Sequence, residues 1–248
     1  MTGANINRLS DMKFPVTDSA YRIEIASKSQ LPKMLECLHK NFYYEETLFR
    51  SLYLNTKNYI REEDCLIVTD LDRLTKSVFE HSPSLVAIHN DSGEIVAVHI
   101  TALLEKPISE KSSTGNPTFT KNPTRSKIVK TYFEFFRDVP NINKLFSNFP
   151  EAEMALEFYA VAIDSNHRRK NLSKDLINAG VLLAKSIPTV GFVYGVFTST
   201  YSKKSSVKLG MRSIQDIDIL THKDPEYGYI FRNTEPHNKI SVMVMAIR

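Results

Sequence analysis

The sequence predicts a mixed α/β domain, a sheet flanked by helices, and three observations carry that reading. Residues 84–89 and 94–104 alternate in hydrophobicity around Asn90-Asp91-Ser92-Gly93, the pattern of a β-hairpin. A strand-like run ending at Ile163 breaks into a cationic turn and restarts as a helix. That helix carries apolar or small residues at Leu172, Leu176, Ala179, Gly180, Leu183, Ala184 and Ile187, the 3.6-residue period of one buried face. Near the end of the chain, residues 211–220 and 240–246 read as a closing pair of strands joined by a long loop, residues 222–239.

The remaining elements follow in order. Tyr21-Arg22-Ile23-Glu24-Ile25-Ala26 alternates like a strand, and residues 30–41 form a helix with Leu31, Met34, Leu35, Leu38 and Phe42 on one stripe. Residues 47–54 read as a second helix, and the charged stretch 61–80 contains at least one more. Residues 105–125, rich in Pro, Ser, Thr, Lys and Asn, read as a surface loop. Residues 126–137 are amphipathic, with Ile128, Val129, Tyr132, Phe133 and Phe136 on one side; Pro140 ends them, and a short helix through Leu145 and Phe146 follows. Residues 154–163 are the central strand. Pro188 and Gly191 close the long helix, and Phe192-Val193-Tyr194-Gly195-Val196-Phe197 reads as a buried strand. Thr198-Ser199-Thr200-Tyr201-Ser202 then leads into a short helix, residues 203–209, ended by Gly210. No internal repeat is apparent.

Composition narrows the class. With 248 residues, 42% hydrophobic and 24% charged, the chain can bury a substantial core, which excludes a disordered protein. A net charge of +4 is too small and too dispersed to argue for nucleic acid. No run of ~18 apolar residues is present, so no membrane span is expected. Residues 1–18 are polar and lack an apolar signal core, so we expect a polar tail, a single domain over residues 19–248 and a cytoplasmic location. Cys37 and Cys65 have no metal-like spacing, the histidines form no zinc pattern, and reduced thiols are the simpler reading.

The chemistry concentrates where the central strand ends. After Tyr159-Ala160-Val161-Ala162-Ile163 come Asp164-Ser165-Asn166-His167 and then Arg168-Arg169-Lys170-Asn171-Leu172-Ser173. Three cations at a helix start put positive charge beside unpaired backbone N–H groups, an anion site suited to phosphate or pyrophosphate. The order strand, cationic turn, helix, strand, helix, Lys208-Leu209-Gly210-Met211 resembles the core of the GCN5-related N-acetyltransferases. In that superfamily an Arg/Gln-x-x-Gly-x-Gly/Ala turn wraps the pyrophosphate of acetyl-coenzyme A. Here Asn171 and Ser173 stand where the family prefers Gly and Gly or Ala; Asn is the side chain that best tolerates a left-handed backbone.

A second resemblance lies near the start of the chain. Asn41-Phe42-Tyr43-Tyr44-Glu45-Glu46-Thr47-Leu48 is similar to the Phe-Phe/Tyr-x-Asp/Glu-Glu-Pro-Leu stretch of the insect-type arylalkylamine N-acetyltransferases, with Thr47 in place of the Pro. The resemblance implies Glu46 as general base, and Thr198 and Ser202 as the branch's two hydroxyls four apart, with Tyr201 a competing donor for the leaving thiolate. It implies a twisted, mostly antiparallel sheet splayed between the strands ending near Ile163 and beginning near Phe192. Acetyl-coenzyme A would then pair with the backbone of Val161, Ala162 and Ile163 and rest its phosphates on Arg168, Arg169, Lys170, Asn171, Leu172 and Ser173. It further implies a small-molecule amine acceptor, no metal, no nucleic acid or membrane partner, and a monomer or weak homodimer.

Proton bookkeeping constrains the base. An alkyl ammonium titrates near ~10 and an exposed Glu near ~4.3, so direct transfer is uphill by roughly 8 kcal/mol. A useful base must be buried or crowded, or act through ordered water. Glu45 and Glu46 could instead be ordinary first-turn acids, and the hydroxyls at 198–202 ordinary helix caps. Two further functions stay open: a degenerate acyl-coenzyme A-binding module, and an acetyltransferase acting on a protein lysine or N-terminus. Phe133, Phe135, Phe136 and Phe146 read mostly as core, with some of them able to line an acceptor pocket, and Tyr227, Tyr229 and Phe231 of the late loop are the better candidates, expected to close an acceptor slot.

Overall fold

The computed structural model describes residues 12–60, 63–107, 124–137 and 139–247. Most of the loop expected at residues 105–125, and the first part of the expected tail, lie outside the described residues.

Seven strands form one sheet in the order β1-β2-β3-β4-β5-β9-β6. The strands are β1 (Tyr21–Ile25), β2 (Leu85–His89), β3 (Ile95–Glu105), β4 (Met154–Ile163), β5 (Val190–Phe197), β6 (Arg212–Asp218) and β9 (Lys239–Ala246). A separate two-stranded ribbon, β7 (Lys223–Asp224) with β8 (Gly228–Tyr229), lies within the late loop. Every neighbouring pair is antiparallel except β4–β5. That parallel pair runs only from Met154 opposite Val190 to Glu157 opposite Tyr194, after which the two strands part. The splay expected between Ile163 and Phe192 is present, with its vertex at Glu157 and Tyr194.

The β3–β4 register shifts between Ile100 and Thr101, leaving Tyr159 as an extra residue between Ala160 and Phe158. Such a bulge bends a strand and re-aims its side chains. Leu156 and Phe158 accordingly pack in one core cluster, and Ala160 and Ala162 in another.

The first of those clusters lies under α6 (Leu172–Ser186), whose apolar stripe Leu172, Leu176, Ala179 and Leu183 is buried as its periodicity requires. The cluster on the opposite face lies under α1 (Leu31–Leu38), α2 (Thr47–Ile60), α3 (Asp64–His81) and α4 (Lys127–Phe136). A third cluster gathers α5 (Ile142–Ser147) against β5 and β9, and α7 (Thr200–Lys208) completes the α-helices among the described residues.

Residues 12–18, part of the segment read as a polar tail, pack against α6: Phe14 is buried, and Thr17 donates through its backbone N and Oγ1 to the buried Asp175 at 2.8 and 2.7 Å. The helix expected over residues 30–41 is not uniform. It is α-helical only over α1 and widens into a π-helical turn, His39–Tyr43. No helix among the described residues is long and apolar enough to cross a membrane.

Candidate active site

The parting of β4 from β5 opens a cleft of about 990 Å³, lined from both sides of the sheet. One end holds the turn that precedes α6. Arg169 and Asn171 both hold left-handed backbone, at φ 65 and 63°, in that turn, and left-handed residues in a turn are one way a backbone forms an anion-binding concavity. Asn171 takes the conformation its short polar side chain allows, and Arg168 Nε donates to Ile163 O at 3.2 Å, tying the turn to the end of β4. Arg168, Arg169, Asn171, Leu172 and Ser173 line the cleft, as do Val161 and Ile163 of β4. Two expected residues stand off it. Lys170 lies over the ring of Tyr21 with Nζ 5.7 Å from the centroid, and the Ala162 side chain is buried in the core.

Glu46 occupies the other end. Its carbonyl accepts the Arg50 N–H at 2.8 Å and its Oε2 accepts the Phe49 N–H at 2.7 Å, so it is the N-cap of α2. The helix-start reading of this acid is therefore correct for one oxygen. The other, Oε1, is buried and makes no hydrogen bond. Burial pushes the Glu46 carboxyl above the ordinary carboxylate range, opposed chiefly by the nearby Thr198 hydroxyl and more weakly by the Phe49 and Leu48 N–H groups and Tyr132. A capped, buried carboxylate with one bare oxygen can accept a proton from a group brought to it.

The hydroxyl residues collect opposite. Thr198, Ser199, Tyr201 and Ser202 all line the cleft where β5 runs into α7. Ser199 caps α7 through Tyr201 N, and Ser202 Oγ donates to Ser199 O at 3.0 Å, so the capping role and exposure to the cleft coexist. Tyr201 is two-thirds exposed, at 66%. Its ring meets that of His237 edge-on at 5.3 Å. His237 Nδ1 accepts the Thr200 N–H at 3.2 Å, which assigns the ring proton to Nε2; burial lowers its pKa, favouring the neutral ring.

The aromatic expectation for the late loop is corrected. Phe231 is buried against Phe135, ring centroids 4.9 Å apart, and Tyr229 carries Lys223 on its face at 4.6 Å. Neither they nor Tyr227 line the cleft; the loop supplies Asn233, Thr234, Glu235 and His237 instead. The aromatic walls come from α4 and β4, through Tyr132, Phe133, Phe136 and Tyr159. Tyr43 lines the cleft but Tyr44 turns away, onto Phe49 and Tyr53.

No protein-family model and no curated protein matches the sequence. Solved structures do match. Arylalkylamine N-acetyltransferase 2 from Aedes aegypti aligns over 92% of this chain and 99% of its own, with TM-score 0.74 and 22% identity. A mosquito arylalkylamine N-acetyltransferase-like protein, 5b, aligns over 91% and 99%, with TM-score 0.75 and 19% identity. The chain has the N-acetyltransferase fold. The Drosophila melanogaster polyamine N-acetyltransferase, which forms N-acetylagmatine, shares this fold over 91% of this chain and 99% of its own, with TM-score 0.65 and 16% identity.

Within this acetyltransferase fold, three cleft residues escaped sequence reasoning. Tyr132 is indistinguishable in sequence from the core stripe of its helix, and His237 follows Pro236 in a loop without a motif. Glu157 did leave a signal, a lone acid in the apolar run Leu156-Glu157-Phe158-Tyr159. Among the described residues no group of three His, Cys, Asp or Glu could hold a metal.

Proposed function

We propose that the protein transfers the acetyl group of acetyl-coenzyme A to a small primary amine, an arylalkylamine, with Glu46 as general base. The observation that carries this is the bare, buried Oε1 of Glu46 in the same cleft as the nest at Arg169 and Asn171. The nest and its arginines suit a pyrophosphate, and the edge of β4 that parts from β5 beyond Glu157 suits the amide-bearing arm between phosphate and thioester.

In the reaction so read, the ammonium gives a proton to Glu46, directly or through water. The amine nitrogen then bonds the thioester carbon, and the C–S bond breaks as the tetrahedral intermediate collapses. The leaving thiolate takes a proton from a hydroxyl at the α7 start, Ser202 or Tyr201, that hydroxyl is restored by the proton the nitrogen loses as the amide forms, and Thr198 stands beside the Glu46 carboxyl. The raised pKa of Glu46 narrows the uphill transfer from an ammonium. The aromatic walls at Tyr132, Phe133, Phe136 and Tyr159 support an aryl side chain on the amine.

The test is a screen of amines with purified protein and acetyl-coenzyme A, following released thiol. Turnover should appear with tyramine, dopamine or serotonin, and Glu46→Gln should lower kcat by about 10²–10⁴-fold while the cofactor still raises the melting temperature. Preference for a lysine peptide over tyramine would point to a protein acceptor; binding without turnover of any amine would leave a cofactor-binding module.

A further inference from the structure

One side chain joins the segment that carries Glu46 to the turn after β4. Asn41 lies in the π-helical turn His39–Tyr43 and lines the cleft. It donates through Nδ2 to Cys37 O at 3.1 Å and accepts the Ser165 N–H on Oδ1 at 3.2 Å. Its two partners are of opposite kind, a carbonyl and an N–H, so a single orientation of the amide satisfies both. The first bond stays within its own helix, but the second spans 124 residues of sequence.

Each end of that second bond is itself held. One residue beyond Asn41, the Phe42 carbonyl accepts the Glu45 and Glu46 N–H groups at 3.0 and 2.7 Å. On the other side, Ser165 opens a 3₁₀ turn, Ser165–His167, whose cap Asp164 accepts the Asn166 N–H at 2.9 Å. His167 and Arg168 follow directly and line the cleft.

We infer that Asn41 is a positioning residue, which fixes Glu46 relative to the turn that takes the cofactor's phosphates. The inference rests on the proposed acetyl transfer with Glu46 as base, and adds to it a residue that acts through Glu46. Two features lead to it. Asn is a poor helix former, so the helix gives no reason of its own for this residue, whereas the bond to Ser165 does. Reaction also needs the reacting atoms held within about 3–3.5 Å of one another. On the proposed reading the base belongs to one of the two bonded segments and the thioester is anchored through the other. A misplacement of about 1 Å between them is enough to cost up to about 10²-fold in rate.

The experiment is a pair of mutant cycles on kcat, with tyramine and saturating acetyl-coenzyme A, following released thiol. Asn41→Leu keeps the size of the side chain and removes both hydrogen bonds; Ser165→Pro removes only the N–H that Asn41 accepts. Proline suits that place. It is favoured at the first position of a helical turn, and Asp164, at φ −53 and ψ 134°, already has the extended backbone that precedes a proline. Each variant should lower kcat at least about fivefold, and the double variant should be no slower than the slower single one, since both break the same bond. In the Glu46→Gln background no base is left to misplace, so adding Asn41→Leu should change kcat by less than about twofold. An asparagine that merely stabilises the fold would instead lower kcat by the same factor in both backgrounds. That result, additive losses in the double variant, or a kcat within about twofold of wild type in Asn41→Leu overturns the inference while the base reading stands. Wild-type turnover in Glu46→Gln, or no turnover of any amine, removes the base reading and the inference with it. If Ser165→Pro misfolds, the comparison of Asn41→Leu in the two backgrounds still decides.

Discussion

Tyr43 donates its hydroxyl to Asp72 Oδ1 at 2.9 Å, and His39 Nε2 lies 2.7 Å from the same oxygen. His39 and Tyr43 are the first and last residues of the π-helical turn, so one carboxylate on α3 grips both of its ends. The turn adds a residue to the helical repeat and thereby sets the angle at which the chain reaches Glu46. Tyr43 also lies 3.2 Å from the Thr75 hydroxyl.

This grip should govern the base rather than the cofactor. Asp72→Ala leaves the Tyr43 hydroxyl without its main partner and should cost about 1–3 kcal/mol of stability. It should also lower kcat while the melting-temperature rise on adding acetyl-coenzyme A persists. Tyr43→Phe should do less, since Asp72 keeps His39. Wild-type kcat in Asp72→Ala would show that the π turn holds its shape without the carboxylate.

The nest can be tested through its backbone. Asn171→Gly relieves a left-handed residue and should preserve or increase the stabilisation by acetyl-coenzyme A. Asn171→Val forces a β-branched residue into that region at a cost of about 1–2 kcal/mol and should abolish much of the cofactor effect. Arg168→Glu should weaken it as well, whereas Lys33→Glu, on the exposed face of α1, should not. Thermal melts with and without acetyl-coenzyme A read all four variants.

Glu46 should trade stability for activity. Burial raises its pKa, so between the ordinary carboxylate range and the folded value the native state binds the proton that the unfolded chain releases. Stability is then fully present at low pH and is lost as pH rises through the folded pKa. Glu46→Gln carries no such charge, so its melting temperature relative to wild type should climb with pH even as its activity stays low. A constant difference across pH would mean that the carboxylate is better solvated than its burial implies.

His99 sets the opposite slope. It is fully buried on β3 against Phe158, its Nδ1 lies 3.0 Å from Leu176 O, and its Nε2 has no hydrogen-bond partner. Burial pushes its pKa from 6.5 down to about 4. In that window the unfolded state binds the proton, so stability is intact above 6.5 and falls as the pH drops toward 4, by about 3 kcal/mol at most. In denaturant titrations at a series of pH values, His99→Leu should flatten this part of the profile. An unaltered slope would assign the acid sensitivity to other groups.

Periodicity carried most of the fold. Strand β4 has the bounds its apolar run suggests, and the stripe from Leu172 to Leu183 packs as one face, because both patterns answer to burial, which the sequence records directly. The π turn was not legible, since His39 to Tyr43 have no composition that distinguishes i+5 from i+4 bonding; Asp72, thirty-three residues after His39, is part of what holds it. Phe133 and Phe136, which could be core or pocket wall by sequence, line the cleft, while the late-loop part of the acceptor wall was misread for a related reason. An aromatic in a loop must cover something, but Phe231 covers Phe135 and the core, while Tyr132, on an ordinary amphipathic helix, faces the cleft. Glu46 stood out only through its resemblance, and its two oxygens have different fates that no sequence pattern separates.

A sheet that divides after Glu157 and Tyr194 carries an edge in its middle rather than at its rim. An outer edge invites any passing strand, but this one lines the cleft, so on the proposed reading the cofactor completes the ladder there. On the proposed reading, the amides of residues 158–163 that point into the gap exchange hydrogen with water in the free protein and slow when the cofactor is bound, while those facing β3 are slow throughout. Alternate amides of a single strand would then act as a built-in gauge of occupancy, readable residue by residue without any turnover at all.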